Sequence, residues 1–435
     1  MPADQPTNNY DLVLRSRRVV TPDGQRPATV KIRGDRIVEV GEYESGEGED
    51  LGQFALLPGL VDPHVHLNEP GRTEWEGFAT GTAAAAAGGI TTLVDMPLNS
   101  SPVTTSASAL DAKRTAASGK LHVDVGFHGG LIPGNESQIG ELLDEGVLGV
   151  KAFLCHSGID DFPAATAREL RAAMPLLADR GVPLLAHAEL VKPASEMIDP
   201  RRYADYLATR PSSFERDAIE LLVDLCRETG CVTHIVHLAD AGSLPLLREA
   251  RQVGLPVTVE TCPHYLTFTA EEIPDGATQY KCAPPIRDAA NREALWQALS
   301  EGVIDFVASD HSPCPPEMKR LSEGRFDLAW GGVSSLQLSL SAVWTEASKR
   351  GHTLTDVVRW LCHSPARLIK REAGIQPGMK ANLVVFDPHA RFVVRGKQLH
   401  HRHSMTPYEG RTMCGVVQRV YLRGKLAHAG EGQTI

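Results

Sequence analysis

From residue 57 to residue 311 the chain repeats one rhythm, a short and nearly unbroken apolar run followed by a longer amphipathic stretch. The apolar runs fall at residues 57–66, 90–97, 122–129, 149–154, 182–189, 232–239, 257–266 and 304–311. Runs apolar on both sides suit parallel strands covered on both faces. The stretches at 77–88, 139–145, 167–180, 215–228, 241–253, 287–301 and 333–348 carry helix-compatible periodicity. Eight strand–helix units in one domain-sized block predict an α/β fold, a closed (β/α)8 TIM barrel, with a doubly wound open sheet as the alternative.

The two ends of the chain read differently. Leu12-Val13-Leu14, Val19-Val20, Val30-Lys31-Ile32 and Ile37-Val38-Glu39-Val40 are β-rich, with turns at Pro22-Asp23-Gly24 and Gly34-Asp35. Residues 42–50, rich in Glu and Gly, read as a solvated loop. A similar β pattern returns at Leu383-Val384-Val385-Phe386 and at residues 416–422. Neither end has the apolar surface to stand alone, so the two are expected to join in one small β-sandwich domain. The expected division is residues 1–57 and 373–435 for that domain and 58–372 for the barrel.

Composition narrows the function classes. At 435 residues, 42% hydrophobic and 23% charged, the chain has the make-up of a globular protein with a sizeable core. A formal net charge of −10 disfavours a nucleic-acid partner, which would call for a basic face. It favours a neutral or weakly charged small-molecule substrate. The eight cysteines form no CxxC pair, which suits a reducing compartment. The first ten residues carry no basic-then-apolar leader, and no apolar run reaches the ~20 residues of a membrane helix. A cytoplasmic protein without a membrane partner is expected.

The polar residues on the apolar runs carry the chemistry. Catalytic groups of a barrel gather at the C-terminal ends of its strands. The first run ends in His64-Val65-His66, whose two imidazoles share a face at i and i+2. Lys151 lies on the fourth run, His187 ends the fifth, His237 the sixth, and Asp310 the eighth. Each has a plainer reading alone: hydrogen-bonded histidines, a snorkelling lysine, an aspartate capping the next segment. Five strands each offering a ligand-type residue at one rim point instead to a metal centre. By strand alternation His234 should face away from His237, and His264, on the seventh run, is open between wall and function. Cys155 and Cys262 read as packing residues, having no placed base beside them.

These residues, in this order, resemble those of the cyclic amidohydrolases, the family of dihydroorotases, hydantoinases and allantoinases. The resemblance runs from Leu57-Pro58-Gly59-Leu60-Val61-Asp62 to Gly378-Met379-Lys380-Ala381-Asn382-Leu383. It implies two divalent ions. His64, His66 and Asp310 would hold the more buried ion, His187 and His237 its partner, and Lys151, carboxylated by carbon dioxide, would bridge them. Zinc is the default metal, with iron, cobalt or manganese able to use the same donors. Such enzymes open a cyclic amide with a water activated between the ions, Asp310 shuttling the proton, and they are commonly homotetramers.

Dihydroorotases place an arginine two residues after the histidine pair and an asparagine after Met-Pro; here those positions are Asn68 and Leu98. That leaves no bidentate cation for a substrate carboxylate. Trp75-Glu76-Gly77, Asp95-Met96-Pro97-Leu98-Asn99, the run from Ser309-Asp310-His311 to Met318-Lys319, Ala329-Trp330-Gly331-Gly332 and Tyr408-Glu409-Gly410-Arg411-Thr412 are similar to the allantoinase branch. Ala239 departs from it, where relatives carry serine. The resemblance implies hydrolysis of allantoin to allantoate; alternatives are a hydantoinase or dihydropyrimidinase acting on another cyclic ureide, or a non-catalytic assembly homologue, which would typically have lost ligands. Substrate contacts are expected from Asn68, from the backbone at Cys282 and Ala283, whose carbonyls the following prolines would leave free, and from Gly332, where glycine permits close approach.

Overall fold

The computed structural model describes residues 10–43, 48–428 and 430–435. The expectations for the leaderless N-terminus through residue 9 and for the middle of the 42–50 loop lie outside the described residues. All eight apolar runs contain a barrel strand: Leu60–Val65, Ile90–Asp95, Asp124–Phe127 (continued by Gly129–Gly130), Val150–Phe153, Leu184–His187, Thr233–Ile235, Val257–Thr261 and Phe306–Val307. Successive strands pair in parallel around the ring. Closure comes from a parallel bridge between Val65 and His311, with the His66 amide donating to the His311 carbonyl at 2.9 Å. A closed ring satisfies the backbone groups that an open sheet would leave at its edges, and it excludes the doubly wound alternative.

The helices cover the outside with aliphatic residues facing in. Helix Ala167–Arg180 opens with a Thr166/Glu169 capping box and ends at Gly181, in the left-handed conformation at φ 61°. The helix after the second strand, Ala107–Ala117, is absent from the helical stretches expected from the sequence. The helix expected from residue 333 begins at Ser339, because Val333 is spent on a bridge to His311.

The chain ends do combine. Strands Leu12–Thr21, Gly24–Arg33, Arg36–Gly41, Ala55–Pro58, Leu383–Val393, Thr412–Leu422 and Lys425–Leu426, with Glu49–Asp50 from the expected loop pairing on Leu12–Thr21, form one continuous sheet in which Ala55–Pro58 lies between the N-terminal and C-terminal parts. Its two halves enclose a core of their own that includes Leu14, Val30, Ile32, Leu56, Leu383, Val385 and Tyr421. The extreme C-terminus leaves this sheet: Thr434 bridges to Val125 of the third barrel strand, and the Val125 amide donates to the Gln433 carbonyl. The last residues thus extend the barrel instead of the small sheet. No described helix is long and apolar enough to cross a membrane.

Candidate functional site

All six residues read from the sequence as ligands line one cavity of about 700 Å³ at the C-terminal end of the barrel. His64 and His66 leave the first strand on one face, ring centroids 5.7 Å apart. Asp310 Oδ1 lies 3.2 Å from His64 Nε2 and 3.6 Å from His66 Nε2. These three side chains offer donor atoms mutually within 4.8 Å, a spacing able to hold an ion. The His187 and His237 rings meet edge to face at 4.6 Å, and His237 lies 5.5 Å from His64.

Lys151 is fully buried, its Nζ has no hydrogen-bond partner, and it lies over the Phe153 ring, 5.1 Å from the centroid. Burial pushes its ammonium down to about 8. An unpaired buried ammonium costs several kcal/mol, so the position needs a partner that the protein does not supply. His237 Nδ1 is likewise buried and unpartnered. Imidazole, carboxylate and a lysine able to lose its proton form a donor set that fits divalent ions.

Charge compensation around the floor is strong. Burial would raise the Asp310 carboxyl, but His64, His237 and His66 together hold it well below its usual value. Burial lowers His64, yet Glu260 and Asp310 outweigh it and carry the imidazole up to about 9. His66 has no second carboxylate, and burial takes it down to about 3.

Behind the six stand residues the sequence reading did not single out. Glu260 accepts from His64 Nδ1, Glu189 pairs with His187 Nε2 at 2.8 Å and with Arg210, and Asn99 Nδ2 lies 3.3 Å from His66 Nδ1. Glu189 and Glu260 are fully buried acids within apolar runs, which was the available signal. Their partners are remote in sequence, so the signal named no role.

Two expectations about histidines change. The sixth strand ends at Ile235, and His237 sits beyond it at φ 41°. Strand alternation therefore does not relate it to His234, which bonds to Glu260 Oε2 at 3.1 Å and stacks on Phe306. His264 lies on the short helix Pro263–Thr267, with the buried Cys262 and Asp310 near it. The buried thiols of Cys155 and Cys262 are pushed up by desolvation, in keeping with packing roles.

The substrate-contact expectations divide. Cys282, Ala283 and Gly332 line the cavity; Asn68 does not. Asn68 is buried one layer behind, its Nδ2 3.4 Å from the Asn99 carbonyl, and Asn99 takes the cavity position. The Cys282 carbonyl accepts the Tyr206 hydroxyl at 2.6 Å and so is not free as expected, and the neighbouring Pro284 carbonyl accepts the Tyr265 hydroxyl at 2.6 Å. Gly332 is needed for a different close approach: a Cβ there would lie 2.2 Å from the Ser312 carbonyl oxygen.

The amidohydrolase family matches residues 55–427. An allantoinase of Streptomyces avermitilis is 49% identical, the alignment covering 96% of this chain and 95% of the relative. An allantoinase of Arabidopsis thaliana is 48% identical over 97% of this chain and 88% of its own length. Among solved structures, the L-hydantoinase (dihydropyrimidinase) of Arthrobacter aurescens superposes with a TM-score of 0.89 at 27% identity, covering 98% of this chain and 99% of that one. The chain belongs to the amidohydrolase family, and by sequence it groups there with the allantoinases.

Proposed function

We propose that this protein hydrolyses the ring amide of allantoin, giving allantoate. The observation that carries the reading is Lys151, a buried ammonium without a partner among four imidazoles and Asp310 on the floor of the cavity. Two divalent ions, zinc by default, would be held by His64, His66 and Asp310 on one side and by His187 and His237 on the other, with Lys151 as a bridging carbamate. Bound there, the ions would supply Lewis acidity and a water of lowered pKa. The chain's own groups do the rest. Asp310, kept ionised by the imidazoles around it, accepts the proton of the attacking water at a carboxylate oxygen. It returns that proton to the ring nitrogen as the C–N bond breaks, leaving a carboxylate and an open ureido group. Ala283 and Gly332 would border the ring, and Asn99 replaces Asn68 as the nearer amide.

Apart from Lys151, the cations lining the cavity have protein partners, which supports a neutral ureide over a charged substrate: Arg210 pairs with Glu189, Lys281 Nζ donates to the Ala329 carbonyl at 2.6 Å, and Arg320 donates to Glu323 at 3.2 Å. Lys319, the buried cation next to the Gly332 wall, is already engaged: its Nζ donates to the Gly332 carbonyl at 2.6 Å and to the Lys281 carbonyl at 3.0 Å. The hydantoinase resemblance favours a second reading, hydrolysis of another cyclic ureide by the same machinery. Eight free cysteines among the described residues agree with a cytoplasmic setting, and a homotetramer is the proposed assembly.

The test is turnover of allantoin, hydantoin, dihydrouracil and dihydroorotate by purified protein, with metal content measured on the same sample. Allantoin as the best substrate, with two ions per chain, is the expected result. Preference for hydantoin or dihydrouracil would select the second reading, and protein free of bound ions and inert toward all four would refute both.

A further inference from the structure

We propose that Glu260 is a positioning residue that sets both halves of the metal centre at once. The inference rests on the two-ion reading above. Glu260 lies on the seventh strand, fully buried, and its carboxylate faces the barrel interior. Oε1 takes His64 Nδ1 and also accepts the backbone N–H of His237 at 3.2 Å, while Oε2 meets His234 Nε2 at 3.1 Å. One carboxylate therefore reaches a ligand from each side of the centre.

The two contacts act differently. On His64 the carboxylate engages Nδ1, which leaves Nε2, 3.2 Å from Asp310, as the nitrogen that would turn its lone pair to an ion bound at the floor. At His237 it grips the backbone of a residue at φ 41°, a conformation that an L-residue adopts only under constraint. The same stretch of the seventh strand adds two bonds: the Leu238 amide donates to the Glu260 carbonyl at 2.8 Å, and Thr261 Oγ1 donates to the Leu238 carbonyl at 2.8 Å. His234, stacked on Phe306, holds the far oxygen and so fixes the carboxylate itself. The other supporting groups are one-sided. Glu189 serves His187, and Asn99 serves His66.

A carboxylate that only filled the barrel would affect stability and leave the ions alone, so the measurement is metal retention. Purified, metal-loaded wild type, Glu260→Gln, Glu260→Asp and Glu189→Gln would be dialysed against graded chelator, with ions per chain counted and folding followed by circular dichroism. Glu260→Gln keeps the volume and loses the charge; its affinity for both ions is expected to fall about 10- to 100-fold. Glu189→Gln should weaken one ion only. Glu260→Asp keeps the charge one methylene short and should recover part of the loss, and it carries the test if Glu260→Gln does not fold. Both ions retained by the Glu260 variants within about threefold of wild type, a change too small for a supporting carboxylate, would overturn the proposal. So would selective loss of a single ion. A wild-type protein that takes up no divalent ion refutes the two-ion reading instead, which the same dialysis reports separately.

Discussion

Two lysines of this barrel are equally buried and have opposite surroundings. Lys113, on the helix Ala107–Ala117, places Nζ 2.6 Å from Asp95 Oδ2 and 2.8 Å from the Met96 carbonyl. The other oxygen of Asp95 takes the Leu67 amide at 2.7 Å, so the pair pins the loop that follows the histidine pair. Lys151, on the cavity floor, has no such partner. A protein tolerates a buried charge when hydrogen bonds and a counter-ion repay its desolvation, as at Lys113. Where carboxylates lie near but no hydrogen bond reaches the ammonium, as at Lys151, the group points to something the chain alone does not hold. Burial by itself does not separate a structural lysine from a functional one; the partner does.

That contrast can be broken most directly at Lys151. Lys151→Met is expected to lower turnover by about 1000-fold or more, since it removes a ligand to a centre worth several kcal/mol of barrier. Its metal-free form should melt no lower than the metal-free wild type, because an unpaired ammonium has been removed. A metal-free melting point well below that of the wild type would mean the lysine is structural after all. Asp310→Asn should cost about 100- to 10,000-fold in turnover, the usual worth of a general acid–base, with the fold retained on circular dichroism. Near-normal turnover would remove Asp310 from the proton path.

At the other lysine the effects should reverse. Lys113→Met leaves the Asp95 carboxylate buried without its counter-ion and should cost about 3–5 kcal/mol in denaturant unfolding. The protein that remains folded should keep its ions and most of its turnover, and loss of metal at unchanged stability would contradict the division. The smallest effects are expected at the two asparagines, both at φ 65°, where glycine keeps the backbone. Asn99→Gly, on the cavity wall, should raise KM about 10-fold for a lost hydrogen bond, and Asn68→Gly, behind it, should change KM less than about threefold. Equal effects at both positions would return Asn68 to the binding surface.

Much of this was legible beforehand. Apolar runs of strand length, repeated eight times between helical stretches, were enough for the barrel, because period and length are local properties. His64, His66, His187, His237 and Asp310 could be named because each sits near the end of a run, where in a barrel all such ends share one rim, and Lys151 as a lysine within an apolar run. The joining of the chain ends followed from the shortage of apolar surface in each.

What only the folded chain decided is which atoms meet. Ring closure hangs on one bridge between Val65 and His311, 246 residues apart, and no local pattern encodes it. Strand alternation does not relate His234 to His237 because the sixth strand stops at Ile235, and where a strand stops depends on its neighbours. Glu189, Glu260 and Asn99 were visible as residues, but their roles exist only through partners brought close in space. Asn68 and Asn99 differ by a single layer of depth. A sequence states which groups are available. Desolvation, pairing and distance, which set what those groups do, arise only when the segments pack together.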